Sequence, residues 1–214
     1  MVPLKPLALA KSRLSGAVPD AARPGLVLAF AQDTVVAALN CEAVRDVVVV
    51  TDDPEAGSRL AALGALIVPD EPGAGLDAAL AHGARTVRRS RPGAPVATLN
   101  ADLPALRSPE LFRVLAEAAR FPRSFLPDAA GVGTTMLAAS EGAELRPAFG
   151  GASRRRHRTS GAVELRPGRV DSVRRDVDTA ADLEAALHLG VGPFTRARLR
   201  MTPTPSFPGA DQRE

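Results

Sequence analysis

The chain has no tryptophan, no tyrosine and only seven phenylalanines in 214 residues. The aromatic platforms on which single-stranded bases stack are therefore largely missing. One cysteine, Cys41, excludes an internal disulfide, and the three histidines give no Cys/His spacing suited to zinc. A reduced, cytoplasmic setting is expected. No apolar run approaches the ~20 residues of a membrane span. Residues 1–14 carry proline and two lysines but no compact apolar stretch of the signal-peptide kind. Lysine itself is scarce: among 27 basic side chains only Lys5 and Lys11 are lysines. Arginine does not titrate below a pH of ~12, which accounts in part for a sequence pI of 9.9 at a formal charge of only +3. So modest a net charge, with so few aromatics, argues against a nucleic-acid partner.

What is present alternates between two periods. Asp46–Thr51, Ala65–Pro69 and Pro95–Asn100 are short, continuous apolar runs of the kind buried in a parallel sheet. Between them lie helical patterns. One begins at Pro24 and runs to Leu39; another places Leu76, Ala79, Leu80, Gly83 and Val87 on one face; a third opens at Ser108, read as an N-cap before Pro109, and runs to about Arg120. Arg123–Pro127, Thr134–Ala139 and Ala162–Leu165 read as strands of an antiparallel excursion. Thr179 to Asp182 reads as a capping box for a helix ending at Gly190. Strand–helix alternation predicts an α/β domain with a mostly parallel mixed sheet flanked by helices. One domain is expected over residues 1–192, with 193–214 a disordered tail.

Ligands of open α/β sheets bind beyond the carboxyl ends of the strands. That rule selects residues 5–13, Thr51–Pro54, Pro69–Gly75 and Asn100–Pro104. Asp176 and Asp178 stand two apart, so an extended backbone points both to one side, and Asp102 is the natural third carboxylate. Such groups repel unless a hard divalent cation joins them. With Lys5, Lys11 and the Gly73-Ala-Gly75 turn, the set suits phosphoryl or nucleotidyl transfer. Plainer readings stand beside each of these. Asp178 caps a helix, Asp102 and Asp176 are turn formers, Asp52 and Asp53 are caps, the Gly-x-Gly is a simple strand-to-helix turn, and the lysines are surface accidents. Arg154–Arg158 reads either as a solvated helix face, as guanidiniums near a small phosphorylated acid, or as the basis of an RNA-binding domain. His157 falls in helical register with Ser153.

Taken in series, Val2–Leu14, Val50–Asp53, Pro72–Leu76, Asp102–Leu106, Gly131–Thr135, Phe149–Gly150 with Arg156–His157, and Asp176–Thr179 resemble the guanylyltransferases of deazaflavin (coenzyme F-420) biosynthesis. These are the 2-phospho-L-lactate and phosphoenolpyruvate guanylyltransferases. The resemblance implies a GT-A-like, Rossmann-like nucleotidyltransferase fold with a seven-stranded or similar mixed sheet. It also implies Mg2+-dependent attack by the phosphate of a small acid on the α-phosphate of GTP. Carried over by position, Asp102, Asp176 and Asp178 would hold metal, with Lys5, Lys11 and Asp102 catalytic. Gly73, Gly75 and Leu76 would border the nucleoside, and Thr134, Thr135 and Ser153 the acid; Arg13 and Gly150 would complete the substrate contacts. Ala101 and Asp77 stand where the family usually has Gly and Asn. The alanine- and arginine-heavy composition resembles that of actinobacteria, and for that branch the resemblance favours phosphoenolpyruvate.

Overall fold

A computed structural model describes residues 1–9, 14, 18–71 and 73–201. Seven strands follow the expected order: β1 (Val2–Pro3), β2 (Val48–Val50), β3 (Leu66–Val68), β4 (Val96–Leu99), β5 (Arg123–Pro127), β6 (Thr134–Ala139) and β7 (Val163–Glu164). β1, β2 and β3 pair in parallel, Val49 lying between Val2 and Ile67. β4, β6, β5 and β7 form the other half, with β6 antiparallel to both β4 and β5 and β7 parallel to β5. The halves meet at Met1. Its N-terminal amino group donates to Ala97 O at 2.5 Å and its carbonyl accepts from Leu99 N at 2.9 Å, the alternation of a parallel pair. The sheet therefore reads β3-β2-β1-β4-β6-β5-β7, with β6 alone reversed. That is the mostly parallel mixed sheet expected from the sequence.

The helices are α1 (Arg23–Leu39), α2 (Pro54–Ala61), α3 (Leu76–Ser90), α4 (Ser108–Ala118), α5 (Ser153–Thr159), α6 (Asp171–Arg174), α7 (Ala180–Leu189) and α8 (Pro193–Met201). One core fills the face under α1, α2 and α4, from Val2, Val49 and Leu99 to Leu103, Leu126 and Met136. Phe125, Leu137, Ala139 and Leu145 pack with Ala84 of α3 on the other face. A third cluster joins Leu26 and Phe30 of α1 to Val177, Leu183 and Ala186. α1 with its preceding turn is long and apolar enough to cross a bilayer by length and composition, but most of it is enclosed in these clusters.

Three expectations are corrected. The strand expected at Ala162–Leu165 does not continue the antiparallel excursion: the chain crosses back through α5 before entering the sheet, so β7 runs parallel to β5. Ser108 is not the N-cap of α4. It lies inside the first turn and its hydroxyl donates to Ala37 O at 2.6 Å, while Arg107 occupies the cap position without a side-chain bond. The helix start is tied sideways instead, Arg107 N donating to Ser172 Oγ and Ser172 N to Glu110. The expected tail from residue 193 is helical as far as Met201. α8 is ordered by a distant cap, the buried Asp33 carboxylate of α1, which accepts the amides of Phe194 at 3.0 Å and Thr195 at 2.8 Å. Residues 202–214 lie outside the described residues.

Candidate active site

Because β1 to β5 all run one way, their carboxyl ends form one edge of the sheet, and reversed β6 starts there. The capping motifs of the sequence appear at this edge as structure. Asp53 accepts Ala56 N at 2.9 Å as the cap of α2 and also Leu7 N at 2.8 Å, tying the segment after β1 to the end of β2. Asp52 accepts Asp70 N at 2.8 Å and so joins the ends of β2 and β3. Thr179 and Asp182 form the capping box of α7. In the β3–α3 connection Gly73 and Gly75 have φ of 54° and 94°, and Gly75 occupies the cap position of α3, in a region that a side chain rarely enters. Half-buried Leu76 opens the helix, and Lys5 is exposed just past β1. Lys11 and Arg13 lie outside the described residues.

The three aspartates converge. Val177 N donates to Asp102 O at 3.0 Å, laying the extended segment before α7 against the end of β4. Val177 is fully buried, so the residues beside it turn the other way, Asp176 half-buried and Asp178 exposed. Burial raises the Asp176 carboxyl to about 7, and the negative charges of Asp102, Asp178 and Asp128 push in the same direction. Among the described residues no three acidic, histidine or cysteine side chains are already arranged as a cation cage. The donor chemistry nevertheless fits a hard divalent ion: the groups are carboxylate oxygens, and their mutual repulsion is what such a charge relieves.

Asp128 was not singled out in the sequence. Its carboxylate accepts the amides of Val132 at 2.9 Å and Gly133 at 2.8 Å, which folds the β5–β6 connection back onto itself. Arg174 clamps the same turn, donating to Pro127 O at 3.1 Å and Asp128 O at 2.8 Å. An aspartate four and five residues before a Val-Gly pair was the available signal.

On the far side of the edge, β6 spends two residues on one step of β5. Leu126 faces Met136 and Pro127 faces Thr134, leaving Thr135 as the extra residue of a bulge, a device that re-aims side chains. Thr134, Thr135 and Ser153 are all buried, and the Thr135 hydroxyl meets no partner among the described residues. Ser153 Oγ lies 3.2 Å from Thr134 Oγ1, and His157 Nδ1 lies 3.0 Å from the same oxygen. Ala148 N donates to His157 Nε2 at 3.0 Å. The ring packs edge-on to Phe149 and tilted to Phe125, with centroids 5.0 and 5.6 Å away. Burial holds the imidazole down at about 4; the Asp77 charge opposes this, and Arg123 and Arg156 add to it. Asp77 has a direct contact as well, accepting Phe149 N at 2.8 Å, so the first turn of α3 holds the loop that leads to exposed Gly150.

Two arginines of the 154–158 run are engaged internally. Arg154 forms a two-bond pair with Glu164 and donates to Gly131 O at 2.8 Å. Arg156 donates to the carbonyls of Ala148, Phe149 and Gly150. Both fasten the loops around Thr134 and Ser153, and the charge of Arg154 is balanced by Glu164.

Comparison with known proteins agrees with this architecture. Residues 29–165 match the family model of the MobA-like NTP transferase domain. The chain is 68% identical over 197 residues to the phosphoenolpyruvate guanylyltransferase of Streptomyces coelicolor, covering 92% of this chain and 93% of that one. It is 55% identical to the protein of that name from Thermomonospora curvata, covering 99% and 92%. In fold it is similar to a solved Desulfovibrio desulfuricans G20 protein described as a nucleotide-diphospho-sugar transferase. There the TM-score is 0.65 at 15% identity, with 94% of this chain and 92% of that one covered.

Proposed function

The chain belongs to the MobA-like NTP transferases and, among them, to the phosphoenolpyruvate guanylyltransferases, and on that premise we propose that it transfers GMP from GTP to phosphoenolpyruvate. A phosphate oxygen of the acid attacks the α-phosphorus of GTP, the bond from that phosphorus to the bridging oxygen of the β-phosphate breaks, and pyrophosphate leaves. The product is enolpyruvyl-diphospho-guanosine, an intermediate on the way to coenzyme F-420. The observation that carries this reading is the 68% identity to the S. coelicolor enzyme across nearly the whole of both chains.

The residues divide the work along the sheet edge. Gly73, Gly75 and Leu76 border the nucleoside, where a turn without side chains lets the backbone come close. Lys5, Lys11 and Arg13 supply positive charge to the phosphates from the segment after β1. Thr134, Thr135, Gly150 and Ser153 border the acid. Asp102, Asp176 and Asp178 would hold Mg2+. When bound, the ion would draw charge from the α-phosphate and the departing pyrophosphate. GTP as donor and a single buried thiol, Cys41, accord with a cytoplasmic setting.

The test is an activity matrix of the four nucleoside triphosphates against phosphoenolpyruvate, 2-phospho-L-lactate and 3-phosphoglycerate, read as pyrophosphate release with and without Mg2+. GTP with phosphoenolpyruvate is expected to lead by at least tenfold. Preference for 2-phospho-L-lactate would move the acceptor assignment, and release from none of the pairs by folded protein would overturn the reading.

A further inference from the structure

His157 has no role in the transfer as described, yet it is fully buried and both its ring nitrogens are engaged. Its proton can be located by elimination. The Ala148 amide can only donate, so Nε2 must be the bare, accepting nitrogen. The single proton of the neutral ring therefore sits on Nδ1 and is donated to Thr134 Oγ1. Burial keeps the ring neutral, holding the imidazole near 4.

This tautomer fixes the hydrogen count of the neighbouring pair. Thr134 and Ser153 have one hydroxyl hydrogen each, and their oxygens are 3.2 Å apart. Because His157 donates to Thr134, neither hydrogen is spent on the ring. If Ser153 donates to Thr134, the threonine hydrogen is left over; if Thr134 donates to Ser153, the serine hydrogen is. Either way one hydrogen remains to be given, and no further acceptor meets either hydroxyl among the described residues. With the proton on Nε2 the threonine would donate to Nδ1 and the serine to the threonine, leaving none. A buried donor with no acceptor calls for one from outside the protein. The adjacent Thr135 hydroxyl, buried and unpartnered among the described residues, is a second such group.

We propose that His157 is a positioning residue for the acceptor. By keeping its proton on Nδ1, it makes the Thr134–Ser153 pair a net hydrogen-bond donor that receives an anionic oxygen of the phosphorylated acid. The proposal rests on the acceptor reading given above. It also explains why the loop over the ring is fastened twice, by Ala148 to His157 and by Phe149 to Asp77: loss of the Ala148 bond would free the proton to move.

The experiment has two readouts. Imidazole 15N shifts of the wild-type protein without substrate report the tautomer, and the Nδ1–H form is expected. Steady-state kinetics then compare His157→Asn, whose amide can donate from near the Nδ1 position, with His157→Gln, which reaches towards the Nε2 position. His157→Gln is expected to raise KM for the acid by about tenfold to hundredfold, the worth of one hydrogen bond to a charged group, with KM for GTP and kcat nearly unchanged. His157→Asn is expected to recover most of that loss. An Nε2–H tautomer overturns the proposal even if neither variant folds, as does an equal loss in both variants or a loss shared equally between acid and GTP. A wild-type protein that uses no phosphorylated acid overturns the acceptor reading, and the proposal with it, whatever the tautomer.

Discussion

The Val177 amide donates to the Asp102 carbonyl over 3.0 Å, and through this one main-chain bond two stretches of chain some seventy residues apart bring their carboxylates together. The bond belongs to the backbone, so it survives substitution of either aspartate. Function and stability at this site can therefore be separated.

Asp102→Asn is expected to lower turnover by at least about a hundredfold, on the scale of losing a charged group that acts on the transition state. Its thermal midpoint should stay level or rise, because one of the charges opposing Asp176 is gone. Activity assays beside thermal unfolding decide this. Near-normal turnover in a folded variant would remove Asp102 from the metal set.

Asp176 links stability to pH. Its carboxyl is raised to about 7 in the folded protein, against about 4 in an unfolded chain. Between these values the folded state binds the extra proton, so the contribution is full below about 4 and is lost as pH rises through about 7. Without divalent cations, wild-type stability should fall across that window more steeply than that of Asp176→Asn. Added Mg2+ should restore the wild type most at high pH, releasing protons as it binds. Parallel pH profiles with EDTA and with Mg2+, in both proteins, check the sign.

His157 acts the opposite way. Its folded value of about 4 lies below the usual 6.5, so the unfolded chain takes up the proton first. This contribution is full above about 6.5 and is lost as pH falls through about 4. Denaturant titrations between pH 4 and 7 should show His157→Asn losing less stability on acidification than wild type; a steeper loss would contradict the assignment.

Asp33→Ala is expected to cost about 1–3 kcal/mol in urea unfolding, since two amides of α8 lose their acceptor. Asp33→Asn, which keeps an acceptor oxygen, should lose less. Equal losses would mean that the charge, rather than the hydrogen bonding, holds α8.

Much of this was legible in the chain. The three apolar runs and the capped helices mark the alternating elements, the strand-end rule selects Asp102, and the two-residue spacing of Asp176 and Asp178 sets both on one side of an extended segment. Other features depend on encounters that no local pattern records. Ser108 has the composition of an N-cap, yet the Ala37 carbonyl of another helix claims its hydroxyl. Asp77 looks like an ordinary first-turn acid until Phe149, seventy-two residues on, supplies an amide. His157 was visible as a lone histidine in register with Ser153, but its proton is fixed by the Ala148 main chain, and a main-chain donor leaves no mark in side-chain composition. The order seen in residues 193–201 was missed for the same reason, its cap lying on α1.

That last contact bears on how the protein is made. Asp33 leaves the ribosome about 160 residues ahead of the amides it caps. Until they arrive, α1 carries an acid whose eventual surroundings are dry, so sealing Leu26 and Phe30 early would trap an uncompensated charge. Gly192 must follow as well, because a β-carbon there would collide with the Asp33 carboxyl. Closing this end of the core before residues 192–195 are synthesised would leave Asp33 either protonated or without its two amide donors, so the contacts that complete the pocket around Leu26 and Phe30 come from the last part of the fold to leave the ribosome.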